Sequence, residues 1–363
     1  MKLGIIGLPS SGKTTIFNAL TKGDAPTGQS MGGRFDVLTA VVDVLDPRVD
    51  ILSAMFKPKK TTYARITYSD VAGLQKSSDE GSALSGQLLN HLSGLDGFVH
   101  VVRAFESDLV PHPDGRVDAA RDLEALDTEF LLNDLTTVEK KLFKLHEGLT
   151  KGAFKENKAV AQAEAALFEQ LNEALSAERP LRDLDLDEEQ LKSLRGYGLL
   201  TLKPTLIVVN IGDDQDEINL TYDHRHSIVT QLRGKLEMEL AQLSAEGDEE
   251  SLAMFMDEYN VTELSLDKII RLSYDLMGLQ SFFTVGEDEV RAWTVDRGAT
   301  AVTAAGSIHT DLAKGFIRAE TILYDDLIAL GGMAQARSAG KLRQEGKTYV
   351  MQDGDIINVK FNI

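Results

Sequence analysis

One octapeptide near the amino terminus carries the plainest chemistry in the chain. Gly7-Leu8-Pro9-Ser10-Ser11-Gly12-Lys13-Thr14 fits G-x-x-x-x-G-K-[ST], the spacing of a loop that cradles phosphates. Gly7 and Gly12 permit dihedrals that a Cβ forbids, so successive N–H groups form a nest for anionic oxygens. A helix beginning near Lys13 adds the positive end of its dipole. Ser10, Ser11, Gly12 and Thr15 are expected to complete the cradle. The Lys13 ammonium should reach the β- and γ-phosphates and stabilise transition-state charge, and the Thr14 hydroxyl should ligate Mg²⁺.

Two further stretches extend this site. Ala64 to Tyr68 reads as a strand that runs into Ser69-Asp70-Val71-Ala72-Gly73-Leu74. An Asp closing an apolar strand, followed by D-x-x-G, is expected to hold Mg²⁺ through Asp70 and to sense the γ-phosphate with the Gly73 N–H. Small GTPases usually orient water with a Gln after this Gly; here Leu74 stands there, and Gln75 is one position off. Pro204 to Val209 is a second buried strand, ending in Asn210-Ile211-Gly212-Asp213. GTPases read guanine with N-K-x-D at this point. Asn210 and Asp213 are present, Ile211 replaces the Lys, and the choice of base stays open.

The remaining candidates are weaker. Residues 22 to 40 form a glycine-containing loop in which Thr27 and Thr39 could each serve the Mg²⁺, and spacing does not choose between them. His100 lies inside the apolar run Gly97 to Val102 and reads as a core residue. His112 sits between Pro111 and Pro113 and reads as a surface loop residue. The H-x-H at His224 and His226 has no third metal ligand in view.

These groups must be positioned by regular elements. Lys2 to Ile6 is a short apolar strand, and T-I-F-N-A-L after Thr14 has a helical pattern. Strand, glycine loop and helix are the setting the motif needs. From Leu123 the period changes: Leu131, Leu135, Val138, Leu142, Leu145 and Leu149 are spaced as a coiled-coil seam. Thr150 to Lys158 breaks the helix, and a second one follows with Leu167, Leu171 and Leu175, so an antiparallel hairpin is expected. After Gly278 come short strands, a turn at G-A-T-A, a helix around Asp311 to Ile317, and alternating strands at Lys347 to Met351 and Ile356 to Phe361. That mixture predicts a small α+β module.

Composition limits the function classes. The chain has 363 residues, a net charge of −19 and no cysteine, which excludes disulfides, thiolate zinc sites and thiol catalysis. Such a field repels nucleic acid unless a basic patch dominates locally. Lys314, Arg318, Arg337, Lys341, Arg343 and Lys347 form the one concentration of positive charge in the last module. With no apolar run of about 20 residues and no basic, cleavable leader, a cytoplasmic protein is expected, with no membrane and no DNA partner.

The chain resembles the YchF or Obg-like ATPases, a family of translation-factor-related P-loop GTPases, along essentially its whole length. The residues that carry the resemblance are the loop and helix at 7–21, D-P-R at 46–48, D-V-A-G-L at 70–74 and H-V-V-R-A-F-E at 100–106. The tail is most specific: F-F-T-V-G-E-D-E-V-R-A-W-T, A-A-G-S-I-H-T-D, K-G-F-I-R-A-E and Q-D-G-D-I-I-N-V-K-F-N. The resemblance implies an α/β P-loop NTPase (a G domain) over residues 1–122 and 203–279. A coiled-coil hairpin is inserted at 123–202, and a β-grasp TGS domain follows at 280–363. It implies Mg²⁺-dependent hydrolysis of ATP, commonly over GTP, and association with the ribosome or its RNA through the TGS domain and hairpin. A hydrophobic residue at Leu74 is a family trait. His112 falls on the family's candidate water-positioning histidine, and Asn210 and Ile211 on its base-reading segment.

The departures are specific. Ser10 and Ser11 stand where the family has Asn-Val. Counted from Lys13, the family's F-C-T-I-E-P-N falls on Gly32 to Leu38, so Arg34 replaces the Mg²⁺-binding Thr and Gly33 the cysteine. Asp213 replaces a Glu. A different class of function therefore stands beside hydrolysis: a nucleotide-sensing or RNA-docking protein that turns over little.

Overall fold

The computed structural model describes residues 1–23, 25, 37–71, 86–154, 157–259, 261 and 264–362. Its strands are β1 (Lys2–Ile6), β2 (Val37–Val44), β3 (Lys60–Thr62), β4 (Ala64–Val71), β5 (Gly97–Arg103), β6 (Thr205–Asn210), β7 (Ser227–Leu232), β8 (Leu279–Thr284), β9 (Glu289–Asp296), β10 (Phe316–Leu323), β11 (Arg343–Glu345) and β12 (Asp355–Phe361). The first five helices are α1 (Lys13–Thr21), α2 (Pro47–Phe56), α3 (Gly86–Ser93), α4 (Ala119–Thr150) and α5 (Lys158–Ser176). Two compact units result, one of Met1–Ala40 and Thr67–Leu266, the other of Val41–Ile66 and Asp267–Ile363.

The first unit is built on a sheet with strand order β2-β4-β1-β5-β6-β7. β1 pairs in parallel with β4 and β5, β5 with β6, and β6 with β7. Every residue of β5 and of β6 is buried, which is why both read as continuous apolar runs and not as alternating ones. Parallel strands align their carboxyl ends, and ligands of such sheets bind there. The loop after β1, Asp70 near the end of β4, Arg103 at the end of β5 and Asn210 at the end of β6 all lie at that edge.

The hairpin forms where its leucines predict. Val138 and Leu145 of α4 pack with Leu167, Phe168, Leu171 and Leu175 of α5, flanked by Leu131, Leu135, Leu142 and Leu149. Its first helix begins earlier than the change of period at Leu123, because the Asp118 side chain caps it by accepting from the Arg121 N–H at 3.1 Å. At its root Asp134 is fully buried. Its carboxylate accepts from the Leu200 N–H at 3.0 Å, the Thr201 N–H at 2.7 Å, the Thr201 hydroxyl at 2.7 Å and the Asn133 amide at 3.1 Å. One side chain of α4 thus satisfies the backbone that leads into β6.

The second unit is a mixed sheet of order β11-β10-β12-β8-β9-β3. β8 and β9 form an antiparallel pair, β10 and β12 another, and β12 joins β8 in parallel. Its core packs Phe282, Val295, Phe316, Ala319, Met351 and Ile357 against Ala301, Ala304 and Ala305. Those alanines lie on a helix, Ala301–Ile308, that follows directly on the turn expected at Gly298 to Ala301; Thr310–Lys314 is a separate short helix where the sequence reads one helix from Asp311 to Ile317, and β10 already starts at Phe316. Lys347 to Met351 makes only an isolated bridge, Thr300 to Val350.

The boundary of the second unit also departs from the linear reading. β3 pairs in parallel with β9, placing Lys60 beside Glu289 and Thr62 beside Arg291. Arg48 donates to Asp46, the cap of α2, at 2.8 Å and to Asp353 at 2.7 Å, and its guanidinium lies 5.1 Å from the Phe283 ring centroid. Asp353 accepts in turn from the Ser281 N–H at 3.0 Å. The segment of α2 and β3 therefore packs with the C-terminal module, although the sequence assigns it to the first segment of the G domain. A pairing across more than two hundred residues leaves no mark in local periodicity.

Asp134→Ala should strand several buried donors at once. We expect a loss of about 3 kcal/mol in urea unfolding; a loss below about 1 kcal/mol would show that water replaces the carboxylate.

Candidate functional site

The phosphate loop owes its path to two close approaches, one to a backbone carbonyl and one to a side-chain amide. A Cβ on Gly7 would stand 2.3 Å from the Val101 carbonyl oxygen, and one on Gly12 2.2 Å from the Asn210 amide nitrogen. Both glycines have positive φ, at 149° and 97°, so shape and conformation each exclude a side chain. Ser10 adopts φ 62° despite its Cβ, at a cost of roughly 1–2 kcal/mol. Asn tolerates that region better, which gives a physical reason for the Asn that the resembling family carries here. The Ser11 hydroxyl is buried with no hydrogen-bond partner among the described residues, at the position where that family has Val. Thr15 follows in the first turn of α1.

Lys13 is buried and lies along this loop. Its ammonium donates to the Gly7 carbonyl at 3.0 Å and the Leu8 carbonyl at 2.9 Å. Burial pulls its pKa down to about 8, and the Asp70 carboxylate opposes the shift. An ammonium whose hydrogen bonds among the described residues go to neutral carbonyls is poised to exchange them for phosphate oxygens.

Thr14 and Asp70 meet beside it. The Thr14 hydroxyl donates to Asp70 Oδ2 at 2.7 Å. Asp70 Oδ1 is buried without a hydrogen-bond partner among the described residues. Burial raises the Asp70 pKa, with the Thr14 hydroxyl and Lys13 opposing. A hydroxyl, a carboxylate and an unpaired carboxylate oxygen suit Mg²⁺, which takes one or two protein ligands and fills its octahedron with water and phosphate oxygens. Gly73, Leu74, Gln75, Thr27 and Arg34 lie outside the described residues. Thr39 is in β2, its hydroxyl 3.4 Å from that of Ser69.

On the base side, Asn210 is buried and its amide bonds the chain through both the nitrogen and the oxygen. Nδ2 donates to the Ser11 carbonyl at 3.0 Å, and Oδ1 accepts from the Gly234 N–H at 3.0 Å. It clamps the phosphate loop to the start of the helix Gly234–Glu246. Ile211 faces the core with Val102, Ala104 and Leu123, unlike the lysine of N-K-x-D, which lies along the base. Asp213 is half-buried, with the Lys235 ammonium 3.9 Å away.

His112 is the main departure from the local reading of the chain. The flanking prolines suggest a surface residue, yet the side chain is only 4% exposed. It lines a cleft with Leu8, Pro9, Ser11, His100, Arg103 and Asp122. The Asp114 N–H donates to Nδ1 at 3.1 Å, and Nε2 lies 2.8 Å from Asp122 Oδ2. This pattern fits the tautomer with its proton on Nε2. Arg121 donates to the other Asp122 oxygen at 2.8 Å. His112 thus stands behind the phosphate loop with both nitrogens committed. His100 is in the core as expected, its pKa pushed down to about 3 by burial and by the nearby Lys13 and Arg182.

Arg103 has no place in the motif-based reading. It is 1% exposed and stacks its guanidinium 4.4 Å from the Phe105 ring centroid. Its signal in the sequence is an arginine closing an otherwise apolar buried strand, at the edge where parallel sheets bind ligands.

Comparison with known proteins agrees with this geometry. A family model described as "50S ribosome-binding GTPase" matches residues 2–141, and the family YchF-GTPase_C, described as "Protein of unknown function (DUF933)", matches residues 279–362. The chain is 40% identical to "Ribosome-binding ATPase YchF" of Bacillus subtilis (strain 168) over 370 residues, covering 99% of each. It is 40% identical to the protein of that name from Escherichia coli O157:H7, covering 100% of this chain and 99% of the relative. The solved "Structure of the Schizosaccharomyces pombe YchF GTPase" superposes with a TM-score of 0.82 at 32% identity, covering 99% of this chain and 97% of that one.

The buried lysine gives a pH signature. Bound phosphates raise the ammonium pKa, so the free protein must take up a proton once its own pKa is passed. Nucleotide affinity should be fully present below pH 8 and fall by roughly tenfold per unit well above it. Titration of a fluorescent nucleotide from pH 7 to 10 checks this; constant affinity across that range would mean Lys13 stays charged.

Proposed function

The chain belongs to the YchF family, and we propose that it is a cytoplasmic, Mg²⁺-dependent nucleoside triphosphatase that acts with the ribosome and uses ATP at least as well as GTP. The observation that carries the chemistry is the Thr14–Asp70 pair with its unpaired carboxylate oxygen at the foot of the phosphate loop. The relatives named as ribosome-binding ATPases carry the partner and the reaction.

In this reading the loop amides from Ser10 to Thr15 receive the β- and γ-phosphates. Lys13 leaves the Gly7 and Leu8 carbonyls and moves onto phosphate oxygens, where its charge counts most in the transition state. Thr14 and Asp70 hold Mg²⁺, which when bound neutralises phosphate charge and fixes the phosphate chain. The Gly73 N–H senses the γ-phosphate. His112 orients the attacking water once its ring releases Asp122 or the Asp114 N–H. Base recognition falls to the Ile211 to Asp213 backbone and the Asp213 carboxylate, with Asn210 holding that segment against the loop. The C-terminal module and the helical hairpin contact ribosomal RNA or protein.

The second reading, nucleotide binding with little turnover, is favoured by one observation: both His112 nitrogens are bonded to the chain. Steady-state turnover of ATP and GTP separates the two. We expect Lys13→Ala to reduce kcat at least a hundredfold and His112→Ala ten- to a hundredfold with little change in KM. Wild type no faster than Lys13→Ala would leave only the binding role. Ribosome co-sedimentation should depend on the nucleotide supplied; equal pelleting with ATP, ADP and none would make the nucleotide a structural element.

A further inference from the structure

Arg103 is a buried cation whose three hydrogen bonds all go to main-chain carbonyls. Nε donates to Phe105 O at 3.1 Å, Nη2 to Val110 O at 2.6 Å and Nη1, at the limit of contact, to Ser10 O at 3.4 Å. Burying a charge is costly, even with the Glu106 and Asp122 carboxylates near enough to favour the cation, and a well-packed apolar residue would fill the same space at less cost. What guanidinium adds is geometry, since its planar fork fixes several acceptors relative to one another.

The acceptors belong to the two segments that the chemistry must keep in register. Ser10 is the phosphate-loop residue at φ 62°. Val110 is two residues before His112, in a loop that otherwise projects outward: Leu109 is 93% exposed. The Phe105 ring, stacked on the guanidinium, lies within 4.0 Å of the space a Gly12 Cβ would take. Arg103 therefore joins the loop that receives phosphates to the loop that carries the candidate water-orienting histidine.

We propose that Arg103 is a positioning residue for hydrolysis: it holds the His112 loop against the phosphate loop, so that rearrangement of Ser10 on nucleotide binding is passed to the imidazole. This rests on the hydrolase reading above. It makes Arg103 act through His112 and not on the phosphates directly.

The test is a double-mutant cycle on the full-length protein, with ATP and Mg²⁺. Arg103→Lys keeps the charge but loses the fork. Alone it should lower kcat ten- to a hundredfold, the scale of a misplaced catalytic group, with KM within threefold and the melting temperature near wild type. In a His112→Ala background the same change should cost less than twofold. Ser107→Ala is the second variant, because the Ser107 hydroxyl accepts from the Val110 N–H at 3.3 Å on the exposed side of the same loop. It should lower kcat several-fold at unchanged KM, and it decides the matter if Arg103→Lys does not fold. Additive losses in the cycle, a rise in KM matching the fall in kcat, or full activity of Arg103→Lys would overturn the proposal. Wild type without turnover above Lys13→Ala would instead remove the hydrolase reading, and this one with it.

Discussion

The site depends on a loop backbone seated closer to its neighbours than a side chain would allow. Gly7 lies against the Val101 carbonyl and Gly12 against the Asn210 amide, so the phosphate loop is pressed onto the ends of β5 and β6. Those two strands are buried along their whole length, and rigid strands give the loop a fixed seat. Asn210 completes it, bonding Ser11 on one side and Gly234 on the other. With the loop seated, Lys13, Thr14 and Asp70 have little freedom left.

That seating also places ionisable groups where water does not reach. Lys13, Asp70 and His100 all feel burial as the largest influence on their pKa, and in each case burial disfavours the charged form. An anionic ligand with a divalent cation would offset that balance for the lysine and the carboxylate together, since it adds opposite charge to each beyond what the two give one another. The free site is less comfortable than the filled one, which is what a selective phosphate site requires. His100 lacks such a complement and stays a neutral member of the core.

The sequence spoke clearly wherever chemistry is local. The octapeptide named its own strand, loop and helix, the Asp70 strand was readable from its apolar run, and the leucine spacing from Leu131 to Leu149 described the hairpin that forms. It was silent where partners are remote. Nothing near His112 announces the Asp122 carboxylate that draws the ring inward, and nothing in G-F-V-H-V-V-R says that the arginine turns to three carbonyls. The alanine-rich stretch after Thr300 gave no helix signal for another reason. Small side chains give weak amphipathic contrast, yet they let a helix pack closely on Phe282 and Phe316. Ile211 departs from N-K-x-D in the sequence, but its packing in the core depends on Val102, Ala104 and Leu123, which are remote along the chain.

The pairing of β3 with β9 has a consequence for how the chain is made. Synthesis runs from the amino end, so Lys60 to Thr62 emerge long before the strand they complete; Thr62 and its hydrogen-bond partner Glu289 are 227 positions apart. At roughly 5–20 residues per second, the early segment waits on the order of ten to fifty seconds for its neighbour. Through that interval α2 and β3 have neither the β9 edge nor the Asp353 carboxylate that anchors Arg48. The C-terminal module is thus translated long after the segment that relies on it. Cutting the gene after the G domain would not release a finished enzyme core; it would leave a helix and a strand permanently in the state of a nascent chain.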